Sequence, residues 1–112
     1  MDKVALITGG RSGIGLACAQ KLSQSGYEVI TAQRTPADTF HSIEADFSDP
    51  DTPKHVIQQV IDRHGRLDAL INNAGIMLEG TVEGMSLADW NRTLNINLTA
   101  PFLLIKYALP HL

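Results

Sequence analysis

Residues 9 to 15 read Gly9-Gly10-Arg11-Ser12-Gly13-Ile14-Gly15, and four of these seven positions carry no side chain. The apolar run Val4-Ala5-Leu6-Ile7, closed by Thr8, precedes them, and a stretch with helical spacing follows. A glycine-rich turn between a buried strand and a helix aims backbone N–H groups and the positive helix end at one place, which suits a phosphate. Glycine also permits positive φ and removes the Cβ atoms that hold a pyrophosphate at a distance, so Gly9, Gly13 and Gly15 each have a mechanical reason to be there. An ordinary tight turn could use the same residues; the position directly after the first strand favours the anion site.

Asn97 is the second residue with chemical promise. Helical spacing from Trp90 and Leu94 puts it at the border of an apolar stripe, where an amide needs hydrogen-bond partners. Pro101 stands four residues later and has no N–H, so the Asn97 carbonyl loses its i+4 donor. The expectation is a bend there and an oxygen open to water or a ligand. The plainer alternative is a polar residue that merely bends a packed helix.

These residues need a scaffold, and the chain supplies an alternating one. Short apolar runs at Val4 to Ile7, Glu28 to Ala32, His41 to Ala45 and Asp68 to Ile71 read as strands. Helices are predicted from Gly13 to Ser25 and from Pro53 to about His64, the latter with Val56, Ile57, Val60 and Ile61 on one face. Gly26 can stop the first helix, and Thr52 before Pro53, or Asp49 before Pro50, can cap the second with proline at its first position. Ser86 and Asp89 stand in capping-box spacing at the start of a last helix. Leu87, Trp90, Leu94, Leu98, Pro101, Ile105 and Ala108 form its stripe, while Phe102, Leu103, Leu104 and Leu109 make its second half apolar all round. Such β-α-β alternation implies a parallel sheet.

Composition bounds the function. The 112 residues are 44% hydrophobic and 19% charged, as expected of one globular domain, and no repeat or low-complexity linker divides them. A net charge of −3 argues against a nucleic-acid or anionic-membrane surface. The lone Cys18 allows no internal disulfide and reads as a small buried apolar residue. The first apolar run is too short for a signal peptide or a membrane span, and the reading is a cytoplasmic protein. His41, His55, His64 and His111 show no metal-ligand spacing with acidic or cysteine partners and read as surface or loop residues, so no metal site is expected.

The spacing Gly9-x-x-x-Gly13-x-Gly15 differs from the commoner G-x-G-x-x-G and occurs together with Asn72-Asn73-Ala74-Gly75 directly after the fourth strand. Both motifs resemble the short-chain dehydrogenase/reductase family. Ala45-Asp46 after the third strand, the run from Gly65 to Gly75, and Trp90 to Leu98 are similar to it as well, so the resemblance spans the whole chain. It implies an α/β fold: a Rossmann-type, doubly wound parallel sheet of which these residues form the first four strands, in order 3-2-1-4, with flanking helices. Residues 1 to 112 are then the N-terminal part of a single dinucleotide-binding domain.

Carried over position by position, the resemblance sets the pyrophosphate and ribose of a nicotinamide dinucleotide against Gly9, Arg11, Ser12, Gly13, Ile14 and Gly15. It sets the adenine between Asp46 and Phe47, and the rest of the cofactor along Asn73, Ala74 and Gly75. Asn72 reads instead as a structural residue tying neighbouring strands through side-chain hydrogen bonds. At the end of the second strand Gln33 occupies the place of the Asp usual in NAD-preferring members, and Arg34 follows. That arrangement favours NADP over NAD, with Arg11 a possible second positive charge, although Arg34 could also be a solvated loop residue.

In the family the asparagine matching Asn97 belongs to the catalytic tetrad, and its main-chain carbonyl holds a water of the proton relay. The catalytic Ser and the Tyr-x-x-x-Lys pair are not found: Tyr27 is followed four residues on by Thr31, and Tyr107 by His111. Hydride transfer at a carbinol carbon needs an acid or base at the oxygen, so the expectation is an NADP-dependent carbonyl reductase or alcohol dehydrogenase as the parent, with this chain inactive alone. The alternative is a non-catalytic dinucleotide-binding or interaction module. The short path from Arg34 to His41 leaves no room for a helix between the second and third strands. An unpaired fourth strand and an apolar last helix, which in the family packs in a subunit interface, point to a homo-oligomer.

Overall fold

The computed structural model describes residues 2–112. Strand β1 (Val4–Thr8) is followed by helix α1 (Gly13–Gln24), β2 (Glu28–Gln33), β3 (His41–Glu44), α2 (Thr52–His64) and β4 (Ala69–Ile71). Helix α3 (Leu87–Leu94) then runs through a π-helical turn (Asn95–Thr99) into α4 (Ala100–Ala108) and a closing 3₁₀ turn (Leu109–His111). The four strands are parallel in the order β3-β2-β1-β4, with Leu6 opposite Ile30 and Leu70, and Ile30 opposite His41. This is the expected α/β Rossmann-type sheet.

Alternation along β1 sorts the two layers. Val4 and Leu6 face one core, shared with Ile30, Ile43, Val56, Val60 and Leu104; Ile7 faces the other, shared with Ala19 and Val29. Helix α1 thus covers one side of the sheet, and α2 with α4 covers the other. Every residue of β1 is buried, as a central strand of a two-sided parallel sheet requires. No helix among the described residues is long and apolar enough to cross a membrane.

Several boundaries shift in instructive ways. Helix α2 is capped by neither expected residue: Asp51 holds the N-cap position and Thr52 is already helical. Asp49 instead builds the approach, its Oδ1 accepting the Asp51 N–H at 2.9 Å and its carbonyl the Thr52 N–H at 3.1 Å. Helix α3 opens as expected, with Ser86 Oγ accepting the Asp89 N–H at 3.1 Å. The connection from Gln33 to His41 holds no helix, also as expected.

The largest correction concerns the last helix. Of the expected stripe, Leu87, Trp90, Leu94, Leu98 and Ile105 face outward, with Leu98 66% exposed, Pro101 is half-buried and Ala108 alone is buried; Ile96, Ala100 and Leu104 join Ala108 against α2 and the sheet. The packed side is chosen by close approach: Ala100 and Ala108 are small enough to let α4 lie tightly on Val56, Ile57 and Val60. The irregularity expected near Asn97 is present as a widened turn ahead of Pro101, a feature frequent at functional positions.

Candidate functional site: the carboxyl end of the sheet

The glycine turn leaves β1 with Gly9 at φ +67° and enters α1 with Gly13 at φ +57°, a region that costs any other residue strain. The missing side chains serve different ends. A Cβ on Gly15 would strike the Gly9 carbonyl oxygen and come within 2.5 Å of Asn73 Nδ2; one on Gly10 would meet Thr31 Cγ2 at 2.5 Å. These two glycines make room for protein. Gly13 alone of the turn's glycines has nothing within 4 Å of its Cβ direction, so clearance for a ligand is found there. Ser12 at the N-cap makes no side-chain capping bond, which leaves the first amides of α1 without that acceptor. Arg11, Ser12 and Ile14 are exposed around the same opening.

Behind the turn, Thr8 organises the loop after β4. Its buried hydroxyl oxygen accepts from the Asn73 N–H at 3.1 Å and the Ala74 N–H at 3.0 Å. Asn73 Nδ2 then donates to the Gly9 carbonyl at 3.0 Å, clamping that loop to the glycine turn. The structural tie foreseen for Asn72 is therefore made by Asn73; Asn72 is exposed and makes no side-chain hydrogen bond among the described residues. A one-residue step out of a strand reverses the direction of the side chain, and this step decides which asparagine turns inward. Thr8 itself went unnoticed in the sequence, where a hydroxyl closing an apolar strand carries no distinctive pattern.

A cavity of about 200 Å³ opens beside the turn. Gly9, Arg34, Asp46, Phe47, Ala74 and Gly75, all singled out from the sequence, line it together with Gln33, Ala45, Ile76, Arg92 and Ile96. Arg92 and Ile96, from α3 and the π turn, lie within the Trp90 to Leu98 stretch but were not singled out as site residues. Ser48 holds the Asp46 carboxyl below the usual carboxylate range by donating its hydroxyl (2.7 Å) and its N–H (3.0 Å), and the charges of Arg34 and Arg92 act in the same direction. Gln33 Nε2 donates to Ser42 Oγ at 2.7 Å and Thr31 Oγ1 at 3.3 Å, so the amide at the end of β2 is turned toward neighbouring strands.

Asn97 does not line this cavity but bonds Ile76, which does. Its Oδ1 accepts the Ile76 N–H at 2.9 Å and its Nδ2 donates to the Ile76 carbonyl at 2.7 Å, and a Cβ on Gly75 would lie 3.3 Å from that Oδ1. Tyr27 and Tyr107 pack against the two cores, away from the cavity lining. His41 and His64 do not lie free on loops as expected: both are half-buried, with ring centroids 5.6 Å apart. Burial, followed by the Arg63 and His64 charges, holds His41 below the ordinary imidazole range. Cys18, expected to be buried, is half-buried on α1.

A parallel sheet in this order, with a glycine turn at the head of α1 and a loop clamped to it at the carboxyl ends of β1 and β4, is the first part of a Rossmann-type, doubly wound frame. The short chain dehydrogenase family model matches residues 3–112, and the chain belongs to that family. It is 31% identical to the meso-2,3-butanediol dehydrogenase of Serratia marcescens, over 99% of this chain and 49% of that protein. Among solved structures, it superposes with a TM-score of 0.90 on the ligand-free aldohexose dehydrogenase of Thermoplasma acidophilum, at 34% identity, covering 98% of this chain and 44% of the other. A metagenomic short-chain oxidoreductase in complex with NADP superposes with a TM-score of 0.90 at 32% identity, covering 97% and 56%. The chain spans about half the length of the curated relatives it matches.

Proposed function

We propose that this chain is the nucleotide-holding part of an NADP-preferring oxidoreductase, which in the whole protein moves hydride between the nicotinamide and a small carbonyl or alcohol substrate. The observation that carries the reading is the pairing of an open Gly13 with an uncapped α1 N-terminus beside a cavity whose rim holds Arg34. The residues fit a dinucleotide. The α1 amides, with Arg11 and Ser12 at the opening, donate to the diphosphate; Asn73, Ala74 and Gly75 border the path beyond it. Phe47 offers an apolar surface to the adenine, and the ionised Asp46, an acceptor only, suits an exocyclic amine.

When bound, the nicotinamide supplies or accepts the hydride. The role of Asn97 is taken from the family resemblance: its side-chain amide is engaged by Ile76, and Pro101 has no N–H to give its main-chain carbonyl the ordinary i+4 bond. That carbonyl is a holding point for a water in proton transfer. The 112 residues offer no tyrosine at the cavity, so the chain by itself is expected to bind nucleotide without turnover. The outward stripe of α3 and α4, with Leu98 and Phe102 exposed, favours self-association.

The preference for NADP rests on Gln33, which brings no negative charge, and on Arg34, whose guanidinium is matched to a 2′-phosphate. Titration of the purified protein with NADPH and NADH tests it. Tighter binding of NADPH, reversed by Arg34→Asp, is the expected result; a preference for NADH, or an unmoved preference in the variant, would sink the assignment. Sustained NADPH oxidation by the 112-residue chain with a panel of carbonyls would refute its predicted inactivity.

A further inference from the structure

Arg92 has no place in the glycine turn, the loop after β4 or the end of β2, yet it reaches the same cavity as Arg34 from the opposite element. It is half-buried on α3, one turn before Ile96, whose side chain is buried and also lines the cavity. Among the described residues the single ion pair joins Arg66 to Asp68, so neither Arg92 nor Arg34 has a carboxylate within pairing distance. Asp46 feels both guanidinium charges but has its Oδ1 already engaged by Ser48. A planar cation without an ion-pair partner, lining a cavity that Phe47 and Ile96 also line, is a surface for an aromatic ring carrying acceptor nitrogens.

The position of Arg92 is not accidental to loop packing. Asn95, three residues on, donates from Nδ2 to the Ser48 carbonyl at 3.1 Å. That bond ties the helix bearing Arg92 to the loop bearing Asp46 and Phe47, so the two walls of the cavity are held at a set separation.

Resting on the dinucleotide reading above, we propose that Arg92 is a nucleotide-binding residue that holds the adenine, by stacking its guanidinium on the ring or donating to its acceptor nitrogens, irrespective of the 2′-phosphate. The test is calorimetric titration of the purified protein, its Arg92→Gln variant and its Arg34→Gln variant with NADPH, NADH and adenosine 5′-monophosphate. Arg92→Gln is expected to weaken all three in parallel, by about three- to thirtyfold, while Arg34→Gln weakens NADPH alone. Unchanged affinities in Arg92→Gln, beside an Arg34→Gln variant that loses NADPH, would overturn the role of Arg92 and leave the dinucleotide reading standing. A loss confined to NADPH would move Arg92 to the 2′-phosphate and equally overturn the adenine assignment. Failure of the parent protein to bind any of the three ligands would instead refute the dinucleotide reading on which the proposal rests. Circular dichroism of each variant guards against a folding defect; should Arg92→Gln unfold, Arg92→Met, which keeps the stem and removes the charge and donors, carries the same three comparisons.

Discussion

Asn97 and Ile76, 21 residues apart, are joined by a closed pair of hydrogen bonds in which the side-chain amide both donates to and accepts from one backbone unit. The π turn is thereby fastened to the loop that follows the Asn73-Ala74-Gly75 segment. Two residues earlier, Asn95 fastens the same turn to the Ser48 carbonyl. One widened helical turn therefore braces both ends of the cavity.

Removal of this clasp has a defined consequence. Asn97→Ala is expected to cost about 1–3 kcal/mol, since two bonds of roughly 0.5–1.5 kcal/mol each disappear. Asn97→Asp is expected to be no better, because it keeps the acceptor for the Ile76 N–H but sets an oxygen against the Ile76 carbonyl. Denaturant unfolding gives the loss in both variants, and faster amide exchange at Ile76 in Asn97→Ala, which removes its acceptor, locates it. Unaltered exchange there would contradict the bracing role.

The glycines of the turn should separate by cause. Gly15→Ala forces a methyl onto the Gly9 carbonyl and Asn73, an overpacking expected to cost about 1–3 kcal/mol and to disturb the whole turn. Gly13→Ala meets no protein atom within 4 Å and costs only the strain of a side chain at φ +57°, about 1–2 kcal/mol. Thermal melts compared with NADPH titrations distinguish them: Gly13→Ala is expected to lose proportionately more affinity than stability. The reverse order would mean that the open side of the turn is not where the diphosphate approaches.

Two leucines on α4 and the π turn offer a sharper contrast. Leu104 is 1% exposed and packs in the main core, so Leu104→Ala is expected to cost about 2–5 kcal/mol. Leu98 is 66% exposed, and Leu98→Ala is expected to stay within about 0.5 kcal/mol in a monomer while reducing any self-association. Chemical denaturation and sedimentation velocity together check both halves of this statement.

Acid sensitivity is expected from Asp68. Its carboxylate takes two bonds from Arg66, at 2.6 and 2.8 Å, and one from the Val4 N–H at 2.8 Å. The Arg66 bond, then the Val4 N–H, brings its pKa down from 3.8 to about 2. Because the folded value lies below the unfolded one, the stabilisation is complete above pH 4 and disappears as pH falls toward 2. Stability measured from pH 5 to 2 should therefore decline less steeply in Asp68→Asn than in the parent. An identical acid limb in the two proteins would remove Asp68 as a contributor.

How much of this was legible beforehand varies by residue. The four strands, α1 and α2 followed from apolar runs and helical spacing, because a two-sided parallel sheet demands continuous apolar strands and period 3.6 marks helices that cover it. Gly9, Arg34, Asp46, Phe47, Ala74 and Gly75 came from the family resemblance carried over position by position, and the structure brings all six to one cavity. The stripe read along the last helix turns outward except at Ala108, which is buried, and Pro101, which is half-buried. With apolar residues nearly all round, periodicity finds the helix but not the side that meets the sheet, and the alanines that permit close approach look unremarkable in sequence.

The amino-acid sequence alone determined the order of elements, the glycine turn and the family, since each depends on local backbone preference or on motifs read along the chain. Tertiary structure decided that Asn73 rather than Asn72 turns inward, that Thr8 holds the loop after β4, that Asn97 spends its amide on Ile76, and that Arg92 shares a cavity with Arg34. Those relationships join residues distant in sequence. Hydrogen bonds and charges act over a few ångströms of space, and only the folded chain sets which groups come within that range.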